Sequence, residues 1–212
     1  VISGDDKVQN LTIIIFWGAI WGILEATVGL VLHSLPFRVP TGSVLFPMGY
    51  YFMQKSYRAT DDIRAMYYTS IVATSIKLVN LFSPTIPLIR VLNPAGCILL
   101  EGLGVVLVFK YLVKDKKTIN FIHALLMSIT WRVGYYIMCL AIFVPLGMME
   151  SSSILEMSRV VEFFFKNGLI NSILIYLYSK FQYRYDKESK MKYHPGLSTS
   201  ALILALIVTW VV

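Results

Sequence analysis

Residues 17–49, WGAIWGILEATVGLVLHSLPFRVPTGSVLFPMG, decide how the chain is read. The stretch opens as a strongly apolar helix with a carboxylate, Glu25, near its middle and a histidine, His33, at its far end. The chain breaks at Pro36 and Pro40 and re-enters an apolar run at Val44. A carboxylate halfway along a membrane-length helix costs about 2.5–3.5 kcal/mol on insertion scales. Such a residue is expected to serve function, and the remaining chain is expected to supply its partners.

Outside this stretch the pattern continues. The chain is 57% hydrophobic and 15% charged, against about 25% charged residues in an ordinary soluble domain. The charges fall in short blocks between long apolar runs, which predicts an all-α, polytopic transmembrane helical bundle. Residues 1–212 are read as one domain with no soluble domain attached. Residues 1–10 read as a polar tail, followed by spans at Leu11–Ser34, Gly42–Gln54, Ile63–Phe82, Val91–Val113, Ile119–Leu146 and Val160–Ser179. A seventh apolar segment, Leu197–Val212, either crosses the membrane or lies at its interface. The first apolar run is too long for a cleavable signal. The net charge of +7 is no nucleic-acid signature, because the basic residues lie between spans. Cys97 and Cys139 both fall in apolar stretches, without disulfide or zinc spacing.

Lysine and arginine counts predict the orientation. The loops after spans 1, 3 and 5 hold Arg38, Arg90 and Arg159, whereas those after spans 2, 4 and 6, taken with the adjoining helix ends that carry Arg64 and Lys110, hold twelve basic residues, among them Lys55, Lys114 and Lys187. The alternation puts the N-terminus in the cytoplasm and His33, Arg38, Arg90 and Arg159 towards the outside.

The opening stretch also has an echo. Residues 40–49, PTGSVLFPMG, align with residues 87–96, PLIRVLNPAG, on the pattern P-x-x-x-V-L-x-P-x-G. Each copy is expected to open a helix, since proline suits a first turn whose N–H groups lack intrahelical partners. Repeats at corresponding positions point to binding sites in transporters; they are equally the way two helices enter a membrane.

Four ionisable residues inside spans stand out: Glu25, Lys77, Glu101 and Arg132. None can face lipid cheaply, so they are expected to share an interior. They form either an ion-pair network that fixes helix register or a ligand site opening outward, with His33, Asn80, Asn93 and Cys97 in the outer half. Trp131, Tyr135 and Tyr136 either wall a pocket for a flat ligand or pack the core. Span 1 carries a small-residue stripe, Gly18, Gly22 and Ala26, with Gly29 just off it. This spacing lets helices approach closely, through a neighbour in the same chain or a second membrane subunit. No HExxH, GxSxG, Walker A or paired-histidine motif occurs, so no catalytic residue, metal ligand or intrinsic cofactor is assigned.

A basic, highly apolar, six-span chain with a small-residue stripe on span 1 resembles the substrate-binding S components of energy-coupling factor vitamin transporters. The resemblance implies docking of Gly18, Gly22 and Ala26 to a transmembrane coupling subunit that works with ATPases. It implies capture of a small vitamin-like solute from outside, in a prokaryotic plasma membrane, with the loop Leu35–Thr41 helping to cap the site. One such group binds cobalamin through a cysteine, and Cys97 is compatible with a cobalamin-type ligand. Two other readings stay open: a membrane enzyme acting on a lipid-linked or quinone-like substrate, with Glu25, Glu101 and His33 as acid–base groups, and an accessory subunit whose charges pair with other chains.

Overall fold

The computed structural model describes residues 4–36, 41–113, 119–185 and 193–211, and every regular element among them is helical. α1 runs Gly4–Ser34 and α2 Thr41–Thr60. α3, Ile63–Leu78, continues as a 3-10 turn at Val79–Phe82. α4 runs Leu88–Tyr111, and α5, Phe121–Met138, widens into a π turn at Cys139–Phe143. Two short helices, α6 (Ser151–Leu155) and α7 (Met157–Val161), lead through a second π turn, Glu162–Lys166, into α8 at Asn167–Tyr185. α9 runs Pro195–Val211.

Local chemistry sets several of these boundaries. Asp61 takes a positive φ of 52°, a conformation aspartate tolerates better than most residues. Asp62 then caps α3 by accepting from the Arg64 backbone N–H at 2.9 Å, so α2 and α3 form a tight hairpin. Asn120 caps α5 in the same way, accepting from the His123 N–H at 2.8 Å. Both copies of the proline repeat do open helices: α2 begins directly after Pro40 and α4 directly after Pro87. The second proline of each, Pro47 and Pro94, lies inside its helix rather than in the first turn.

Four stretches are long and apolar enough to cross a membrane: Asp6–Leu32, Leu88–Tyr111, Phe121–Phe143 and Met157–Gln182. By length and composition this is four spans, where the sequence reading expects six. α3, at 16 residues, falls short in length, and α2, at 20, falls short in apolar character because of where it sits. α2 packs against α1, α3, α4 and α8, and α3 against α1, α2, α4 and α9. A helix covered by protein can carry polar residues where a lipid-facing one cannot; α2 buries Ser43, Gln54 and Ser56.

The chain order is a rim of helices around α2, with neighbours packed α1 to α3, α3 to α4, α4 to α5 and α5 to α8. Directions follow from the contacts. Tyr50 meets Ser179 at 3.2 Å and Asn171 meets Ser43 at 3.1 Å, so α2 and α8 run the same way. Ser198 donates to the Thr12 carbonyl at 2.8 Å, and Ala201 and Ala205 share a cluster with Ala19 and Ile76, so α9 runs parallel to α1. Trp17 Nε1 donates to the Tyr193 hydroxyl at 3.1 Å, anchoring the start of α9. Burial raises the Tyr193 phenol above its ordinary pKa, against the opposing effect of that bond.

Three sequence expectations are corrected. Residues 4–10 are helical rather than a tail. α2 extends to Thr60, beyond Gln54. Glu162 and Lys166 fall within the expected sixth span and pair with each other at 2.9 Å on an exposed side.

The small-residue stripe has a partner in its own chain. A Cβ at Gly18 would stand 2.6 Å from Val72 Cβ and 2.9 Å from the Thr69 carbonyl oxygen. One at Gly22 would stand 2.9 Å from Ile76 Cδ1. α1 and α3 therefore touch backbone to side chain along this line, and Ala26 is buried beside it. Gly29 meets nothing within 4 Å.

Candidate functional site

Arg132 ties three elements together. It is 1% exposed, and its donors go to uncharged acceptors. Nε donates to the Phe163 carbonyl oxygen at 2.8 Å. Nη1 donates to the Ser128 carbonyl at 2.9 Å and to Ser128 Oγ at 2.6 Å, and Nη2 donates to Asn171 Oδ1. The guanidinium carbon also lies 4.5 Å from the Trp131 ring centroid and 5.2 Å from that of Phe163. Phe163 belongs to the second π turn, where the widened ladder leaves room for an outside donor.

Asn171 passes the network on to α2. Its Nδ2 donates to the carbonyl oxygens of Ser43 at 3.1 Å and Gly42 at 3.2 Å. In a regular helix the Ser43 oxygen would accept from the N–H four residues on. That residue is Pro47, which has none. Asn171 supplies the missing donor from α8. Asn171→Ala is therefore expected to cost about 1–3 kcal/mol. In a Pro47→Ala background, where the helix regains its own donor, the cost should shrink. A double-mutant cycle of chemical unfolding in micelles checks this; strict additivity would refute the compensation.

The two buried carboxylates are served differently. Glu25, 7% exposed, accepts from Trp21 Nε1 at 3.0 Å. Glu101, 3% exposed, has no hydrogen-bond partner among the described residues, and its Oε2 is fully buried. Glu101 lies within direct electrostatic range of Glu25 and Arg132, and Glu25 within range of Lys77. No two of these four side chains make a salt bridge, whereas pairs such as Arg159–Glu156 and Lys166–Glu162 lie at the surface. The structure thus brings Glu25, Lys77, Glu101 and Arg132 into one electrostatic neighbourhood drawn from α1, α3, α4 and α5. They do not close on one another.

Of the other expected residues, Cys97 joins this group, within range of Glu101, Glu25, Cys139 and Arg132. Asn93 accepts from the Tyr135 hydroxyl at 2.7 Å, which fastens α4 to α5. Asn80 is buried on the 3-10 turn, one turn beyond Lys77, with Oδ1 unpartnered. The side chain of His33 lies outside the described residues, as do Arg38 and part of the expected capping loop, residues 37–40. Trp131 and Tyr135 pack with Phe163, at centroid distances of 5.8 Å and 5.6 Å, and Trp131 packs with Phe46 at 5.5 Å. Tyr136 turns away to Phe164, at 5.9 Å. Trp131 is therefore core, although its indole Nε1 is buried without a partner.

Sequence reasoning missed Asn171, Ser128 and the Phe163 carbonyl. One signal was available. Asn171 is an amide in an apolar run, opposite a helix with an internal proline. The chemistry of the centre is lopsided: Arg132 spends its donors on neutral groups, while Glu101 Oε2 is a buried acceptor with nothing to accept from, and the Thr74 hydroxyl, donor and acceptor both, is buried unpartnered. Among the described residues no group of three or more His, Cys, Asp or Glu is placed to hold a metal ion.

No family model, curated protein or solved structure matches the chain.

Proposed function

We propose that the chain is a membrane-embedded solute-binding subunit that captures a small solute between α1, α3, α4 and α5, for uptake with a partner complex containing ATPases. The observation that carries this reading is Glu101. A carboxylate held inside a bundle with a fully buried, unpartnered oxygen costs stability unless something else satisfies it. Intramembrane ionisable residues that do not simply pair with each other mark substrate or ion pathways. On the six-span reading, the excess of basic residues after the even-numbered spans favours an outward-facing Lys77–Asn80 end of the site. A coupling subunit would dock on a face other than Gly18 and Gly22, because α3 already fills that line.

Purification from native membranes in a gentle detergent, with mass spectrometry of retained molecules, tests the reading. The expected result is a co-purifying small solute, with ATPases and a second membrane protein. Glu25→Gln and Glu101→Gln should each lower solute retention about tenfold or more, with melting temperature little changed. A chain that comes down alone with a lipid-linked or isoprenoid molecule, and turns it over, would overturn the proposal in favour of acid–base catalysis by the same carboxylates.

A further inference from the structure

The uneven supply of donors and acceptors says more about the solute than its size class. Lys77 is in range of Glu25, which also has the Trp21 indole N–H. Arg132 is in range of Glu101, yet its N–H groups are committed to Phe163, Ser128 and Asn171. Glu101 is thus the fully buried group of the four that makes no hydrogen bond among the described residues, whereas Lys77, which also makes none, is only half-buried; the Thr74 hydroxyl on α3 is buried and unpartnered as well. Glu101 Oε2 and Asn80 Oδ1 are buried acceptors without a donor, and the Thr74 hydroxyl can accept as well as donate.

We propose that the solute is a small organic cation carrying N–H donors, and that its N–H groups go to the Glu101 carboxylate with Glu25 as the second counter-charge. This rests on the capture reading above. An ammonium, amidinium or protonated heterocycle would satisfy Glu101 Oε2 with a charge-assisted hydrogen bond, the strong kind in a dry site. A neutral isostere gives the bond without the charge, and a carboxylate anion offers Glu101 Oε2 no N–H donor. In the empty protein a carboxylate buried without a partner is neutralised by a proton. The cation therefore replaces that proton, which leaves for the buffer, and total charge in the site is conserved. The other titratable groups in range of Glu101 are Glu25 on α1, Cys97 on α4 and Arg132 on α5, and Lys77 on α3 is in range of Glu25.

The test is calorimetric titration of the full chain in lipid nanodiscs with three matched probes: benzamidinium, benzamide and benzoate. Each is run in phosphate and in Tris, so that the difference in buffer ionisation heat counts protons released. The expected result is binding of benzamidinium about tenfold or more tighter than benzamide, no binding of benzoate, and release of about one proton per cation bound. Glu101→Gln should lose the proton release and most of the affinity. Glu101→Asp, which keeps the charge, should retain proton release with weaker binding, and serves if the glutamine variant does not fold. Benzamide or benzoate binding as well as benzamidinium, or benzamidinium binding without proton release, would overturn the cation while leaving solute capture standing. Binding of none of the three, in a chain that also co-purifies with no small molecule, would overturn both. If none of the three binds but a solute co-purifies, an anionic or neutral solute overturns the cation and a cationic one with N–H groups supports it.

Discussion

Arg132→Ala is expected to cost about 3–5 kcal/mol of stability, much of what holds a bundle of this size together. Three elements lose their common donor at once. The Phe163 carbonyl on the π turn, the Ser128 hydroxyl on α5 and Asn171 Oδ1 on α8 are all left inside the bundle without it. An orphaned buried polar group costs about 1–3 kcal/mol, and the loss propagates, since Asn171 is what satisfies the first turn of α2. Removing the cation also removes its own desolvation cost, which keeps the total from running higher. Arg132→Lys should recover only part of the loss. An ammonium is a point donor that cannot serve three directions spread along a planar fork. Unfolding by chemical denaturant in micelles, followed by circular dichroism, reads both. An alanine variant within about 1 kcal/mol of the parent would mean that the network is incidental.

Gly49→Leu is expected to be nearly as damaging, at about 3 kcal/mol, at the top of the usual range for overpacking. The site a Cβ would occupy at Gly49 is 2.7 Å from Trp21 Cε2, and Trp21 is among the most buried side chains of the chain. The indole cannot retreat without giving up its bond to Glu25 at 3.0 Å. A packing change on α2 thereby reaches the carboxylate pair on α1 and α4. Gly29→Ala is the control, since nothing lies within 4 Å of that position. It should be neutral or gain up to about 1 kcal/mol of helix propensity. If Gly49→Leu leaves both melting temperature and solute retention unchanged, the link from α2 through Trp21 to Glu25 fails.

These two sites differ in how far the sequence anticipates them. The turn signals of the opening stretch place the α1–α2 break and the start of α2 well, because prolines act locally. α3 with its 3-10 turn, ending at Phe82, covers the residues of the expected third span, although it is not among the four stretches long and apolar enough to cross a membrane. The gathering of Glu25, Lys77, Glu101 and Arg132 is legible too, since charges in apolar helices must find one another or a shared interior. What is illegible is who serves whom. Arg132 pairs with no acid. It pairs with a carbonyl exposed by a π turn and an amide recruited by a proline on another helix. Both depend on backbone irregularities that hydropathy does not register. Low hydropathy in α2 has a similar cause: enclosed by four helices, it carries Gln54 and Ser56 in protein rather than in lipid.

The second π turn has a consequence for how this chain tolerates changes in length. A π turn holds one residue more than the α-helical turn it replaces, so Glu162–Lys166 carries a surplus residue in a stretch that otherwise reads as continuous helix. Losing one residue there would restore a regular turn while leaving the flanking helices nearly in phase. What would go is the carbonyl that the widened turn leaves over, and with it the acceptor for Arg132 Nε at Phe163. In this stretch the extra residue, more than the identity of the exposed side chains, is what descendants of the sequence have to keep.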